Sequence, residues 1–326
     1  MYDFTIIVLE GCYATSVAVT LDMLAAASKL AGRAGTPVPR WRVCSAGGGA
    51  VSLSSGLTIA TLKLPASQPH DHSLWVIPGL GIDEPSTVEL RLQATDAGLV
   101  ARAVARHVRA GQRVAACCTA VFLLHQAGVL KNRRVTTAWW LAPYLQQLAP
   151  DCVVDADRMV CVDGPVLTGG AAFAQADLML HALRDHSGTT LSDQVSRVLL
   201  IDGRLAQAPF IMPEVLANGN QLIGRLLDHI ERALPNPVSV QELASTFCMS
   251  SRTLSRYVRR ATGKSTLALV QSVKLRKARE LLESSRMSVE QVAEAVGYCD
   301  ATALRRMVKK GTGSTPSRYR PAASTP

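Results

Sequence analysis

The chain has 326 residues, of which 48% are hydrophobic and 5% aromatic, so its composition excludes a disordered chain and favours two domains, or three, with cores rich in Ala, Val and Leu. The formal net charge of +10 is uneven, because the part from Leu222 onward holds 18 of the 35 Lys and Arg residues but 8 of the 25 Asp and Glu residues, and the preceding part is neutral. A basic segment attached to a neutral body indicates a module that binds a polyanion, although a surface that only confers solubility would carry the same charge.

The beginning of the chain contains no predicted secretory signal or membrane span. The sequence MYDFTIIVLEGC has no basic residue before its apolar run, and no apolar run approaches about 20 residues. We therefore expect a cytoplasmic protein with no membrane partner, in which the eight cysteines are reduced thiols. The cysteine spacings match no zinc pattern, and the sequence predicts no metal site and no cofactor.

Apolar β-branched runs alternate with helical patterns along the first two thirds of the chain. Strands are predicted at 3–9, 41–44, 73–77, 113–117, 159–162 and 166–168, and helices at 14–30, 86–110, 119–127, 139–148 and 171–184. This alternation predicts an α/β N-terminal domain, 1–187, with a mostly parallel sheet flanked by helices. An irregular stretch rich in Gly and Pro, 188–219, predicts a linker, and the pattern is all-helical from 220 to 326.

The last third of the chain contains an internal repeat. The hexapeptide SVQELA at 239–244 returns 49 positions later as SVEQVA at 288–293, and later landmarks are 50 positions apart, so one residue is inserted in the second copy. In each copy an alanine is followed four positions on by a turn residue, Cys248 or Gly297. A small residue lets two helices cross closely, so the pattern predicts two helix-turn-helix units. Gly297 suits such a turn better than Cys248, because glycine tolerates positive φ.

The helix after each turn is predicted to enter the major groove of DNA. Leu254 and Val258 occupy the core positions of the first such helix. Its opposite face carries Ser251, Arg252, Ser255, Arg256 and Arg259, and fifty positions later the second helix carries Ala301, Thr302, Arg305, Arg306 and Lys309. Arg pairs bidentately with guanine, and hydroxyls and Lys reach phosphates or base edges. Two solvated helix faces would also be basic, but two copies in register favour DNA contact.

A helix is predicted between the two units, at 265–283, with Leu275, Ala278 and Leu282 on one face. About 20 helical residues span roughly 30 Å, close to the roughly 34 Å of one DNA turn. One chain would therefore place two recognition helices in successive major grooves.

These residues carry a family resemblance. The stretch from about 220 to 320 resembles the DNA-binding domain of the AraC/XylS regulators, most closely in VAEAVGY at 292–298, DAT at 300–302, Lys309-Lys310 and GSTPSRYR at 313–320. Leu304 and Val308 stand where that family often has phenylalanine, which implies softer packing within the same fold. The resemblance implies a transcription regulator that binds double-stranded DNA as a homodimer, with a contact to RNA polymerase if it is an activator.

The segment RVAACCTAVFLL at 113–124 reads as a strand that enters a helix through a tight junction. A nucleophile elbow has this layout, with a thiol on the turn and backbone N–H groups that can hold an oxyanion. A helix N-terminus at this point is expected to lower the pKa of the Cys118 thiol.

The region from about 2 to 186 resembles the class I glutamine amidotransferase-like fold, and in particular the PfpI/ThiJ-like sensor domains fused to AraC-type regulators. The resemblance rests on Cys118, on AGVL at 127–130, on Arg133-Arg134 and on TTAW at 136–139. Against that family, Ala120 replaces a glycine, Ala138 replaces a histidine and Ser16 replaces an acidic residue. A thiol nucleophile needs a base, so we expect no catalytic residue and no enzyme activity.

A ligand pocket is predicted at the carboxyl ends of the strands, where open α/β sheets bind ligands. Its expected lining is Gly79, Leu80, Cys118, Thr119, Thr137 and Trp139. The backbone N–H groups of Leu80 and Thr119 would hold a carboxylate. Since relatives with this domain pair respond to nitrogen compounds, the resemblance implies an effector such as an amino acid or a quaternary amine acid.

The sequence thus predicts a regulator whose N-terminal domain senses a small molecule and dimerises. One alternative is a thiol hydrolase or amidase tethered to DNA. Another is a redox sensor that uses Cys117 and Cys118, although adjacent cysteines form a disulfide only with strain. His107 and His125 lie on predicted helices and are expected at the surface.

Overall fold

The computed structural model describes residues 2–64, 71–82, 84–201, 204, 206–207, 221–236, 238–312 and 315–319. The chain divides into two compact units, 1–204 and 205–326.

The first unit is built on a mostly parallel sheet, as predicted. The strands are β1 (Phe4–Ile7), β2 (Trp41–Ser45), β3 (Gly49–Ser52), β4 (Thr58–Lys63), β5 (Leu74–Ile77), β6 (Val114–Cys117), β7 (Arg134–Val135), β8 (Val153–Val154), β9 (Val160–Asp163) and β10 (Val166–Gly169). Eight of them form one sheet in the order β3-β4-β2-β1-β5-β6-β10-β9, and β7 and β8 form a separate pair. β1 pairs in parallel with both β2 and β5, and all four of its residues are buried. A strand buried on both faces reads as a continuous apolar run, which is why FTII predicted it.

Helices cover both faces of this sheet. They are α1 (Ala14–Ala34), α2 (Pro85–Gln93), α3 (Thr95–Arg109), α4 (Val121–Gln126), α5 (Ala142–Leu148), α6 (Ala174–Ser187) and α7 (Thr189–Val198). From β1 the chain crosses through α1 to β2, and from β5 it crosses through α2 and α3 to β6 in the other direction. Right-handed crossovers in opposite directions place their helices on opposite faces. The strand order therefore reverses between β1 and β5, where α/β sheets form their ligand crevice.

Two of the predicted helices differ from those in the structure. The single helix predicted at 86–110 is wrong, because the chain is extended at Ala94, with φ −62° and ψ 146°, and separates α2 from α3. The Asp96 carboxylate stabilises this break, since it accepts from the Ala97 N–H and pairs with Arg91 at 2.7 Å. The hydrophobic pattern continues across the break and so did not indicate it. The helix predicted at 139–148 begins at Ala142.

The edge strand β3 and its neighbour β4 were not predicted. They form an antiparallel pair with mostly exposed or half-buried residues, so neither carries the apolar run that marks a buried strand.

The expected surface position of His107 is also wrong. Its side chain is 7% exposed, and its ring stacks on Trp75 with centroids 4.0 Å apart. Its Nε2 atom lies 3.2 Å from the carbonyl oxygen of Arg113, and burial lowers its pKa. His125 is half-buried.

The first unit extends beyond residue 187 into the segment predicted as a linker. Helix α7 packs against α1 and α6, and its Leu191 and Val195 are fully buried. At the end of the unit, Arg204 binds Asp177 of α6, with its backbone N–H donating to Oδ1 at 2.7 Å and Nη2 donating to Oδ2 at 2.6 Å. These two contacts attach Arg204 to α6, so Arg204 belongs to the first unit.

Helix α1 is long and apolar enough to cross a membrane by length and composition. The sequence predicted a helix at 14–30, and it predicted no membrane span because polar residues interrupt the apolar run. Met23, Leu24, Ala27 and Ala31 of α1 are fully buried in the first unit, and α1 contacts α6 and α7. This buried stripe accounts for the apolar composition of the helix.

The second unit is helical from residue 221 onward, with no strand among its described residues, as predicted. Its helices are α8 (Gln221–Arg232), α9 (Val240–Thr246), α10 (Ser251–Thr262), α11 (Thr266–Ser284), α12 (Val289–Ala295) and α13 (Ala301–Thr312), followed by a 3-10 turn at Pro316–Tyr319. The predicted face of α11 is confirmed, because Leu275, Ala278 and Leu282 are buried against α12 and α13.

The internal repeat corresponds to two copies of one helical frame. Ser239 caps α9, with its hydroxyl 3.1 Å from the Glu242 N–H and its own N–H 2.7 Å from the Glu242 carboxylate. Ser288 caps α12 through Gln291 at the same two distances. Each capping box satisfies N–H groups that the first turn of a helix leaves free, so both copies begin at the same residue of the repeat.

Candidate functional site

Each helix-turn-helix unit turns at one residue with positive φ. Cys248 has φ 54° and Gly297 has φ 73°. The N–H after each of them donates to the carbonyl of Ala244 or Ala293, at 2.8 Å in both copies. The preference for glycine at this turn is explained by that conformation, which costs an L-residue such as Cys248 roughly 1–2 kcal/mol.

The recognition helices α10 and α13 have defined starts. The Ser250 hydroxyl accepts from the Thr253 N–H at 3.1 Å, and the Asp300 carboxylate accepts from the Ala303 N–H at 2.7 Å. Apolar residues then fix the rotation of each helix, and the fully or almost fully buried ones are Leu254, Val258, Leu304 and Val308. Leu304 and Val308 fill their positions although neither is an aromatic residue.

Nine of the ten side chains predicted to face DNA are exposed or half-buried. They are Ser251, Arg252, Ser255, Arg256 and Arg259 on α10, and Thr302, Arg305, Arg306 and Lys309 on α13. Ala301 differs, because it is 8% exposed at the first position of α13 and its methyl group packs inward.

Two further cations extend these faces. Arg260 and Lys310 are exposed in the last turns of α10 and α13. The sequence pattern left them out because they lie one position outside the predicted stripes. Cations also stabilise the C-terminal end of a helix, so these two residues have a structural role as well.

One predicted DNA contact has a protein partner. The Arg305 guanidinium lies 3.3 Å from the carboxylate of Glu290 on α12, and both side chains are more than half exposed. In the first copy the equivalent residues are Ser255 and Gln241, so neither charge is present there. An exposed pair of this kind contributes about 0–1 kcal/mol, which leaves Arg305 available to a stronger anion such as a phosphate.

The helix between the two helix-turn-helix units has the predicted length. Helix α11 has 19 residues, which correspond to about 28 Å. This length agrees with a spacing of about one DNA turn between the two helix-turn-helix units.

The first unit contains the predicted elbow at the end of β6. Cys118 has φ 55° and begins a 3-10 turn, Cys118–Ala120, that leads into α4. Positive φ at a non-glycine residue on a strand-to-helix turn is the geometry of a nucleophile elbow. All three residues of the turn are fully buried.

The predicted pocket residues lie together, but polar contacts within the protein already occupy them. The Leu80 N–H donates to the Thr119 hydroxyl at 3.0 Å, and the Thr137 hydroxyl donates to the Cys118 carbonyl at 2.7 Å. A Cβ atom on Gly79 would lie 3.2 Å from the Cys118 side chain. Trp139 is 6% exposed and packs edge to face on the ring of Trp140. The Leu80 N–H that was expected to hold a carboxylate is therefore bonded to Thr119.

The expected low pKa of Cys118 is wrong. Burial raises the pKa of this thiol to about 11, and the hydrogen bonds from Thr119 lower it only in part. Burial also raises the pKa of Cys117, whose thiol donates to the carbonyls of Gly170 and Ala171 at 3.6 and 3.5 Å. A fully buried thiolate loses its hydration, and this loss outweighs the favourable field of the helix N-terminus.

The positions that hold a base or an acid in the amidotransferase-like family are inert here. The Ser16 hydroxyl is buried and donates to the Ala172 carbonyl at 3.2 Å, and Ala138 is fully buried with a methyl group. Neither side chain can take the proton of the Cys118 thiol.

Two capped helix-turn-helix units with exposed cationic faces, together with an α/β unit, define the class of DNA-binding transcription regulators. The chain belongs to the DJ-1/PfpI family, whose profile matches residues 6–185, and an AraC-type helix-turn-helix domain matches residues 243–322.

Two transcriptional regulators match almost the full length of the chain, and a solved structure matches its first unit. The chain is 28% identical to the HTH-type transcriptional regulator GlxA of Rhizobium meliloti, over 94% of this chain and 91% of GlxA. It is 26% identical to the HTH-type transcriptional regulator CdhR of Pseudomonas aeruginosa, over 99% of this chain and 95% of CdhR. A crystal structure of an AraC family transcriptional regulator from Pseudomonas putida has the fold of the first unit, with a TM-score of 0.51 and 21% identity over 61% of this chain and all of that one. The protein is a DNA-binding transcription regulator.

Proposed function

We propose that the exposed faces of α10 and α13 read two neighbouring segments of a DNA site. The observation that carries this proposal is the equivalence of the two helix-turn-helix units. Both have the same helix caps and the same buried positions, which leave the cations of α10 and α13 exposed. The proposed contacts are Ser251, Arg252, Ser255, Arg256, Arg259, Thr302, Arg305, Arg306 and Lys309. Arg252 and Arg305 are the proposed base-reading residues, and Lys309 is a proposed phosphate contact.

We also propose that a small carboxylated effector, such as an amino acid or a quaternary amine acid, controls this binding from the first unit. Its carboxylate would replace the Thr119 hydroxyl on the Leu80 N–H, beside the point where the strand order reverses. This exchange requires the Thr119 side chain to move away from Leu80 and space for the ligand to open, because both residues are buried.

The proposed coupling starts beside the elbow and ends where the chain leaves the first unit. Cys117 bonds to the loop at 170–171, and the same loop leads through Phe173 into α6. Arg204 binds both the Phe173 carbonyl, at 2.7 Å, and the Asp177 carboxylate. An effector that shifts this loop would therefore change how Arg204 is held at the end of the first unit.

We propose that the first unit performs no catalysis. The raised pKa of Cys118, about 11, supports this, because a thiol nucleophile needs a thiolate near neutral pH. Further parts of the proposal are a homodimer, a cytoplasmic location, a contact with RNA polymerase if the protein is an activator, a sensor domain that ends near Arg204 and a DNA-binding domain at 220–326.

A thermal-shift screen of the full chain tests effector control. Amino acids, quaternary amine acids and short carboxylic acids are the panel, and a ligand at 100 times its dissociation constant should add about 2.7 kcal/mol of stability. A ligand that stabilises the protein should also change its affinity for DNA. A ligand that stabilises the protein with no change in DNA affinity would contradict the coupling, and a panel without stabilising compounds would contradict the effector class.

A further inference from the structure

The side chain of Lys274 points into the second helix-turn-helix unit instead of into solvent. Lys274 lies on α11 and is 7% exposed. Its Nζ atom donates to the Gly297 carbonyl at 3.0 Å and lies 4.5 Å from the centroid of the Tyr298 ring. Gly297 is the positive-φ residue of the turn, so the lysine joins the connecting helix to the turn itself.

Burying an ammonium group is costly, and burial lowers the pKa of Lys274. A carbonyl dipole and the face of an aromatic ring compensate part of that cost. An apolar side chain of similar length would fill the same space without it, so packing does not explain the charge. The two contacts do define a geometry, because together they fix the turn carbonyl and the ring of the next residue relative to α11.

The first helix-turn-helix unit has a weaker version of this arrangement. Arg225 of α8 lies 49 positions before Lys274, and its guanidinium is 5.7 Å from the centroid of the Phe247 ring, beside the first turn. Arg225 is exposed, whereas Lys274 is buried. Among the described contacts, only the lysine donates to the carbonyl of the turn residue. The two turns are therefore held unequally.

We propose that Lys274 is a positioning residue that sets the direction in which α13 leaves its turn, and with it the reading of one half of the DNA site. Gly297 is three positions before Asp300, the residue that caps α13. A shift of the turn is therefore passed directly to the start of the recognition helix. The described polar contacts of Lys274 are to Gly297 and Tyr298 and not to the first recognition helix, α10. This inference rests on the proposed DNA contacts of α10 and α13.

Selection of binding sites from random DNA with the full-length protein tests the inference. Wild-type sites should show two blocks of base preference about 10 base pairs apart. Arg252→Ala on α10 and Arg305→Ala on α13 assign the blocks, because each should weaken the preference of one block. Lys274→Met keeps the length and packing of the side chain but removes its charge. Lys277→Met is the matched control, since Lys277 is on the same helix but half-exposed, and it pairs with Glu280.

We expect Lys274→Met to flatten the block that Arg305→Ala weakens and to lower the affinity for the wild-type site about tenfold, with the other block unchanged. Lys274→Arg should restore part of the preference, because a guanidinium can also donate to a carbonyl and stack on a ring. Lys277→Met should leave both blocks intact.

Equal losses in both blocks, or no loss in either, would overturn the positioning role. If Lys274→Met does not fold, Lys274→Gln, which keeps a donor for the Gly297 carbonyl, should fold and show a smaller loss confined to the same block. A result in which Arg252→Ala and Arg305→Ala weaken neither block would contradict the proposed DNA contacts themselves. It is distinguishable from failure of the positioning role, because Lys274→Met can still be tested for a loss confined to one of the two wild-type blocks.

Discussion

The hydroxyl of Thr119 accepts a hydrogen bond from the backbone N–H of Leu80 at 3.0 Å, and both residues are buried. Thr119→Ala should leave this N–H without its acceptor and lower the free energy of unfolding by about 1–3 kcal/mol. Acetate at high concentration should stabilise the variant more than the wild type, because it can occupy the vacated position. Denaturant unfolding with and without acetate measures both effects.

The exposed Thr95, at the first position of α3, provides the control. Thr95→Ala should change the stability little, and acetate should have the same effect on it as on the wild type. If acetate stabilises all three proteins equally, the Leu80 N–H is not the carboxylate site.

The thiol of Cys118 should be unreactive in the folded protein at neutral pH. Its pKa is raised to about 11 and its side chain is fully buried, whereas Cys248 and Cys299 are exposed. Iodoacetamide should therefore label Cys248 and Cys299 first and reach Cys118 only after unfolding, as mass spectrometry of the digested protein can show. Rapid labelling of Cys118 in the folded state would contradict its burial and would favour a thiol enzyme.

The same thiol predicts a loss of stability at alkaline pH. Its folded-state pKa of about 11 is above the ordinary value of 9.0, so the unfolded chain releases the proton first as the pH rises. The contribution of this thiol to the free energy of unfolding is therefore fully present below pH 9. It is lost between pH 9 and 11, by about 1.4 kcal/mol per pH unit for this one group. Cys118→Ala should make the free energy of unfolding less steep in this range, and an unchanged slope would contradict the raised pKa.

Substitutions at the turn residues of the two helix-turn-helix units should have opposite effects on stability. Cys248→Gly should stabilise the protein by about 1 kcal/mol, because it relieves the positive φ of 54° at a residue with a Cβ atom. Gly297→Ala introduces the same strain at φ 73° and should destabilise the protein by a similar amount. Thermal unfolding of both variants is the measurement, and a destabilising Cys248→Gly would show that the Cys248 side chain contributes more than its backbone costs.

The contact between Asp177 and Arg204 should matter more than an exposed ion pair of the same residue types. Asp177→Asn removes the charge from a carboxylate whose side chain is 4% exposed, and should cost about 1.5–3 kcal/mol. Asp193→Asn is the control, because Asp193 and Arg184 are 3.5 Å apart and more than half exposed, and such a pair is worth about 0–1 kcal/mol. Equal effects of the two substitutions in denaturant unfolding would contradict a specific role for Arg204.

The sequence predicted the helical frame of the second unit well, because short-range signals determine it. The repeated hexapeptide, the turn residues and the spacing of buried residues are all visible within one repeat. The repeat also gave two independent views of the same element. Ala301 was misplaced because adding 50 to a position transfers its face but not its burial, and a methyl group at the start of α13 packs inward.

The elbow was harder to predict, because its properties depend on contacts between distant residues. The strand, the turn and Cys118 were found in the local sequence. The position of Thr119 against Leu80, 39 residues away, and the burial that raises the thiol pKa are consequences of the closed sheet. Lys274 was missed for the same reason, since its partner Gly297 is 23 residues away and a lysine on a helix normally indicates an exposed face.

Binding of the full-length protein to its selected DNA site, measured against salt concentration, tests the central claim most directly. Arg252→Ala and Arg305→Ala should each cost about 1–3 kcal/mol and relax the preference at one position of the site, whereas Lys309→Ala should weaken all sequences alike and reduce the salt dependence by about one unit of slope. If all three variants leave affinity, base preference and salt dependence unchanged, the exposed faces of α10 and α13 are not the DNA-binding surface.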